Sequence, residues 1–126
     1  MLPGVTRLLK HLATHHPTLP LAIVTSTPLP TYQAKMATHA ALHNAFSIVV
    51  TGNAVAAGKP APEGFLQAAA RAGVDPARCL VLEDAVSGVQ AALAAGMQVV
   101  AVPSAPGGKA WDAFAQGMLL TMPNAD

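Results

Sequence analysis

Charge is what this sequence has least of. Lys and Arg number 7 and Asp and Glu 6, so charged residues make up 10% of the 126 and the net charge is +1. That balance leaves no basic footprint for a nucleic acid and no acidic tail. Aromatic side chains are equally sparse at 4%, too few for a base-stacking platform. The single cysteine, Cys79, cannot close an internal disulfide, and a reducing, cytoplasmic compartment is the default expectation. The opening MLPGVTRLLKHL lacks the long apolar core of a secretory signal. The longest uncharged stretch, Ala85 to Gly108, is interrupted by Ser87, Gly88, Gln90, Gly96, Gln98 and Pro103. Its period changes midway, so it reads as a buried helix followed by a strand, and no membrane span is expected.

What fills the chain instead is apolar. Hydrophobic residues make up 52%, which excludes an intrinsically disordered chain. A chain of this length suits one domain with one sizeable core, so residues 1–126 are read as a single domain. No internal repeat is present.

Apolar periodicity places the elements. Thr6 to His15 puts Leu8, Leu9 and Leu12 on one helical face, and Pro17 and Pro20 end it. Leu21-Ala22-Ile23-Val24 is too short and too β-branched for a helix and predicts a fully buried strand, as do Ile48-Val49-Val50, Leu80-Val81-Leu82 and Val99-Val100-Ala101-Val102. Thr31 can cap a helix running to about His43. Gly52 to Pro62, with two glycines and two prolines, is a loop. Glu63 to Ala72 predicts a helix stopped by Gly73 at the position that favours left-handed backbone. Val89, Ala92 and Leu93 define another helix, closed by Gly96. Ala110 to Ala115 is expected to form a short helix and Met118-Leu119-Leu120 an edge strand.

Helices alternating with continuous apolar strands predict an α/β fold: a Rossmann-like three-layer parallel sheet with helices on both faces. Ligands of such sheets bind beyond the carboxyl ends of the strands. Thr25, Ser26 and Thr27 follow the first strand, Gly58-Lys59-Pro60 follows the second across a loop, and Glu83 and Asp84 follow the third. Hydroxyls and one lysine suit a phosphate group, and an adjacent acidic pair suits Mg²⁺. Singly, each has a plainer reading: a helix cap, a solvated lysine, acids complementing a helix dipole. Their coincidence at the strand ends favours a phosphoryl-transfer site. The His11/His15 and His39/His43 pairs, spaced i, i+4, read as solvent-facing rather than as metal ligands, because no acid sits between them. Cys79, at the start of a strand, reads as a small hydrophobe. Trp111 and Phe114 read as a cover for the sheet edge.

The series LAIVTST, GKPAP and CLVLEDAVSGVQAALAAG resembles motifs II, III and IV of the haloacid dehalogenase superfamily. Lys59 lies 34 residues after Thr25 and Asp84 lies 25 after Lys59, separations that suit the family. Pro3-Gly4-Val5 and the leucine helix after it look like the segment that follows the cap domain in the β-phosphoglucomutase-like branch. GMQVVAVP is similar to the pseudouridine-5′-phosphatase-like branch. The resemblance covers about residues 3–103. It implies a Mg²⁺-dependent phosphomonoester hydrolase working through an aspartyl-phosphate. Thr25, Ser26 and Lys59 would bind phosphate. Thr25 and Lys59 would serve catalysis, Lys59 by holding the nucleophile and neutralising charge in the transition state. Asp84 would ligate the metal ion, with Glu83 a direct or water-mediated ligand. The expected partner is a small phosphorylated metabolite: a sugar phosphate, or a nucleotide monophosphate such as pseudouridine 5′-phosphate.

One departure is large. The family's nucleophile and general acid form an Asp-x-Asp pair on a first, central strand. This chain's aspartates are Asp75, Asp84, Asp112 and Asp126, no two of them two residues apart. The chain therefore reads as a partial core carrying motifs II to IV, without that strand and the helical cap, and inactive alone. The strands Leu21–Val24 and Leu80–Leu82 would then stand two strand spacings apart, about 10 Å, inviting self-association through exposed edges. Two alternatives to an enzyme stay open: a non-catalytic phosphate-binding protein, and an interaction module that accepts a partner's strand.

Overall fold

The computed structural model describes residues 3–103 and 108–114. In chain order the elements are α1 (Val5–His15), β1 (Ala22–Val24), α2 (Leu29–Met36), α3 (Ala40–His43), β2 (Ile48–Val50), α4 (Glu63–Ala72), β3 (Leu80–Glu83), α5 (Val86–Ala94) and β4 (Gln98–Ala101). Residues 109–114 are also helical. The expected edge strand at Met118–Leu120 lies outside the described residues.

The alternation expected from the apolar runs is the alternation found. Gly73 ends α4 with φ 66°, and Gly96 follows α5 with φ 75°, conformations that cost a side-chain-bearing residue far more than glycine. One helix differs from expectation. The stretch from Thr31 to His43 is two helices separated at residues 37–39, and the first begins after Pro28 with Pro30 in its first turn. Proline's fixed φ and missing N–H suit a helix start, so Thr31 lies inside α2 and does not cap it.

Among the described residues all strand pairings are parallel, but they form two sheets and not one. β1 pairs with β2, Ile23 opposite Val49, and β3 pairs with β4, Val81 opposite Val99. Among the described residues no strand joins β1 to β3, so the inner edge of each half-sheet is open. The core lies where α4 and α5 cover the two halves: Phe65 and Ala69 meet Val81, Ala91, Ala92, Ala95 and Met97, with Val24 and Val99 packed against them. α1 contributes no buried residue. No helix among the described residues is long and apolar enough to cross a membrane.

Side-chain exposure corrects the expectation of fully buried strands. Leu80 is 62% exposed and Leu82 51%, while Val81 between them is buried. Strand side chains alternate between faces, so β3 is covered on the α4/α5 side and bare on the other. β1 is likewise only half-buried. Among the described residues, then, the expected covering of both faces is not found at β3, where one face alone is covered.

Unpaired strand edges beside exposed leucines are a template for other chains. The chain alone is expected to run as concentration-dependent oligomers in size-exclusion chromatography with light scattering. A five- to six-residue apolar strand peptide is expected to raise its thermal midpoint. A monomeric species with a sharp transition that the peptide leaves unmoved would contradict this.

Candidate functional site

The carboxyl end of β1 is continued by Thr25, whose N–H donates to the Val50 carbonyl at 2.9 Å. The chain then turns. The Thr25 hydroxyl oxygen accepts from the Thr27 N–H at 3.1 Å, which leaves its own proton free to donate. Ser26 is exposed at the tip of this turn. The turn rests on the segment after β2. The Gly52 N–H donates to the Thr27 carbonyl at 3.0 Å, and a Cβ at Gly52 would overlap the Ser26 carbonyl, so only glycine lets the two backbones approach. Asn53 fastens the start of α2 by accepting from the Leu29 N–H at 3.0 Å and from the buried Thr51 hydroxyl at 2.9 Å.

Lys59 comes in from the loop before α4. Its Nζ donates to the Val24 carbonyl at 3.2 Å and to Glu83 Oε2 at 3.0 Å, and it stands 5.0 Å from the centre of the Phe65 ring. Both partners of the ion pair are largely shielded from solvent, with side chains 13% and 11% exposed. Lys59 therefore spans the gap, bonded to the carboxyl end of β1 on one side and of β3 on the other.

Glu83 reaches Lys59 because α5 makes room. A Cβ at Gly88 would overlap the Glu83 carboxyl group, so the carboxylate lies over the helix where any other residue would stand. Asp84 follows, exposed at the end of β3, and carries no hydrogen bond or ion pair among the described residues. Among those residues no group of three or more His, Cys, Asp and Glu is gathered tightly enough to hold a metal ion.

The Lys59 loop has an anchor of its own. Glu63 Oε1 accepts from the Ala56 N–H and Oε2 from the Ala57 N–H, both at 2.9 Å. These donors hold the Glu63 carboxyl below the usual carboxylate range. A lowered pKa stabilises the fold above the unfolded value, and that contribution fades as pH falls through the folded one.

The sequence-predicted residues Thr25, Ser26, Lys59, Glu83 and Asp84 thus gather at the carboxyl edge, with Lys59 and Glu83 in direct contact. The histidines stay apart from them. His11 and His15 stack on exposed α1, their ring centres 4.5 Å apart. His43 is not simply solvent-facing: its Nδ1 lies 2.9 Å from the buried Tyr32 hydroxyl, and His39 precedes α3 instead of sharing a face with it. Burial pushes the Tyr32 hydroxyl upward, and burial first and the Asp75 charge second do the same to the Cys79 thiol. Cys79 packs against the core, as expected of a small hydrophobe. Trp111 and Phe114 stack edge to face on each other. The recessed surfaces flanking α2 and α3, of about 250 and 420 Å³, lie away from the strand ends. Gly52, Asn53, Glu63 and Gly88 were not singled out from sequence as site residues. A glycine five residues after Glu83, inside an otherwise good helix, is the one signal that was available.

A parallel α/β core with its polar side chains collected beyond the carboxyl ends of the strands defines a Rossmann-like domain, a class whose ligands bind at that edge. The model of the haloacid dehalogenase-like hydrolases matches residues 1–96, and the chain belongs to that family. It is 44% identical over 105 residues to the bifunctional riboflavin kinase/FMN phosphatase of Arabidopsis thaliana, covering 83% of this chain and 27% of that protein. A Drosophila melanogaster protein whose name includes "pseudouridine-5'-phosphatase" is 45% identical over 108 residues, covering 82% of this chain and 46% of that protein. Among solved structures, CbbY from Rhodobacter sphaeroides in complex with phosphate superposes with a TM-score of 0.73 at 28% identity, covering 82% of this chain and 46% of that one. The chain spans less than half the length of each. The resemblance read from three short motifs is borne out.

Gly88 gives the site a direct test. In Gly88→Ala the new methyl must displace the Glu83 carboxylate, at a cost of about 1–3 kcal/mol as for overpacking elsewhere. Urea denaturation is expected to register that loss. In Glu83→Ala, where nothing is left to displace, the same substitution should cost little, a non-additivity that a double-mutant cycle reads directly.

Proposed function

We propose that this chain is the phosphate- and cation-binding part of a phosphomonoester hydrolase acting on a small phosphorylated metabolite. The observation that carries the reading is Lys59, held between the Val24 carbonyl and the Glu83 carboxylate with the free hydroxyl proton of Thr25 next along the chain. Thr25 donates to a phosphoryl oxygen. Ser26, at the exposed turn, adds backbone and hydroxyl donors. Lys59 places its charge where negative charge builds up as the phosphoryl group transfers. The phosphatase names among the relatives and the phosphate held by CbbY support this assignment.

The donor set fits Mg²⁺. Asp84 and Glu83 offer hard carboxylate oxygens, and Mg²⁺ takes one or two of these and completes its shell with water and substrate phosphate. Asp84, exposed and unengaged among the described residues, is the direct ligand. Glu83 is committed to Lys59, so it acts at the ion directly or through water. When bound, the ion would neutralise charge on the phosphoryl oxygens.

The nucleophile is an aspartate of an Asp-x-Asp strand, which none of this chain's aspartates supplies. Its carboxylate would displace the substrate's alcohol, which leaves with a proton from the second aspartate. Water would then cleave the aspartyl-phosphate to inorganic phosphate and the free carboxylate. A small sugar phosphate or a nucleotide monophosphate such as pseudouridine 5′-phosphate is the substrate class. A second reading, a module that accepts a partner's strand, is favoured by the open inner edges of β1 and β3.

The chain alone is expected to hydrolyse p-nitrophenyl phosphate with Mg²⁺ no faster than a buffer blank. Fusing an Asp-x-Asp strand ahead of it should restore turnover. In that form Lys59→Ala should lower kcat by about 10²-fold or more, and Asp84→Asn should weaken Mg²⁺ by about tenfold or more. Turnover by the chain alone that depends on Lys59 would refute the assignment of the nucleophile. A fused form that stays inactive while the strand binds would favour the second reading.

A further inference from the structure

The loop that delivers Lys59 has few fastenings. Between residues 55 and 62 the described backbone makes one internal bond, the Ala61 N–H to the Gly58 carbonyl at 3.0 Å. Beyond that, and apart from the Pro62 carbonyl accepting from the Leu66 N–H at the start of α4, side-chain hydrogen bonds fasten the loop at two places. One is Lys59 itself, across the gap to Val24 and Glu83. The other is Glu63, in the first turn of α4, whose two carboxylate oxygens each take one N–H, from Ala56 and Ala57. The two oxygens engaging successive N–H groups fix both the position and the direction of the backbone two and three residues before Lys59. Ala56 and Ala57 are exposed, so without the carboxylate their N–H groups pass to water. The loop would then lose its placement while every donor stayed satisfied.

From this geometry we infer that Glu63 is a positioning residue for Lys59: it clamps the loop to α4 so that the ammonium group stands ready between the two half-sheets. This deepens the reading of Lys59 as the cation of a phosphate site and rests on it. The clamp places a charge and not merely a loop. Lys59 has a long, flexible side chain that loses considerable rotamer freedom on being held, and fixing the backbone beneath it removes part of the search. Glu63 touches neither Val24 nor Glu83 in the hydrogen-bond network, so it acts through the loop alone.

The test reads Lys59 directly and needs no turnover, which separates it from the fate of the phosphatase reading. The full chain is treated briefly with an amine-acetylating reagent. Labelling of Lys59 is compared by mass spectrometry with that of the exposed Lys10 and Lys35. In Glu63→Gln, which keeps the shape and loses the charge, Lys59 is expected to label several-fold faster, with Lys10 and Lys35 unchanged. Glu83→Gln, which frees Lys59 from its other partner, serves as the positive control. Hydrogen exchange on the same variant guards against general unfolding: faster exchange should be confined to residues 55–59, with the buried part of α5 unaltered. Lys59 labelling in Glu63→Gln equal to that of the parent chain overturns the proposal, whatever Glu83→Gln does. Loss of protection in α5 together with the loop overturns it as well, since Glu63 would then be holding the fold and not placing the lysine.

Discussion

One ammonium group bridges the carboxyl ends of two half-sheets that otherwise meet through the apolar core under α4 and α5. β1 with β2 and β3 with β4 are separate sheets, and the bond that joins their carboxyl ends is made by a side chain. Lys59 Nζ sits where a ladder N–H would otherwise meet the Val24 carbonyl, and it carries across to Glu83. A largely shielded charge needs its counter-charge, because the desolvation penalty remains when the partner is removed. Breaking such a pair costs up to about 3–5 kcal/mol when burial is complete. Phe65 beneath the ammonium group adds a ring face and ties the pair to the main apolar cluster. The same residue that bridges the halves is the one proposed above to meet the phosphate, so on that reading anchoring and recognition share a single charge.

Close approach is the second constraint, and glycine provides it at two points. Gly52 lets the turn after β2 touch the backbone of Ser26, and Gly88 leaves α5 hollow where the Glu83 carboxylate rests. In each case a strand-end residue is placed by the absence of a side chain on a neighbouring element. The strand-end cluster therefore depends on the packing beside it, at the turn after β2 and on the surface of α5.

Much of this was legible beforehand because the strands are short apolar runs and the helices end in glycines with left-handed backbone. Ile48–Val50, Glu63–Ala72 and Leu80–Leu82 needed only those signals. Thr25, Lys59, Glu83 and Asp84 stood out because strand ends in parallel sheets gather ligand-binding groups. The failures have physical causes. A periodic pattern cannot show that α2 stops before residue 37, since no proline or glycine marks the break. Burial of β3 was overestimated because an apolar run records what a strand is suited to and not which neighbours are there to cover it. Glu63 and Gly88 were missed because their roles lie in contacts made through space: an acid in the first turn of a helix looks like a dipole partner until its oxygens are seen on Ala56 and Ala57.

Each half-sheet is built from one continuous stretch of chain. β1 and β2 are joined through α2 and α3, and β3 and β4 through α5. Contacts of short sequence separation close small loops, and small loops form quickly. The βαβ unit of β3, α5 and β4 can therefore assemble by itself, whereas β1 and β2 take their helix cover from α4, which follows them in sequence. The loop bearing Lys59 and the helix α4 lie between the two half-sheets in sequence, so docking the halves is the step that closes the longest loop and brings the charges together. The site would then be the last part of this chain to form, and its assembly would report that both halves had folded.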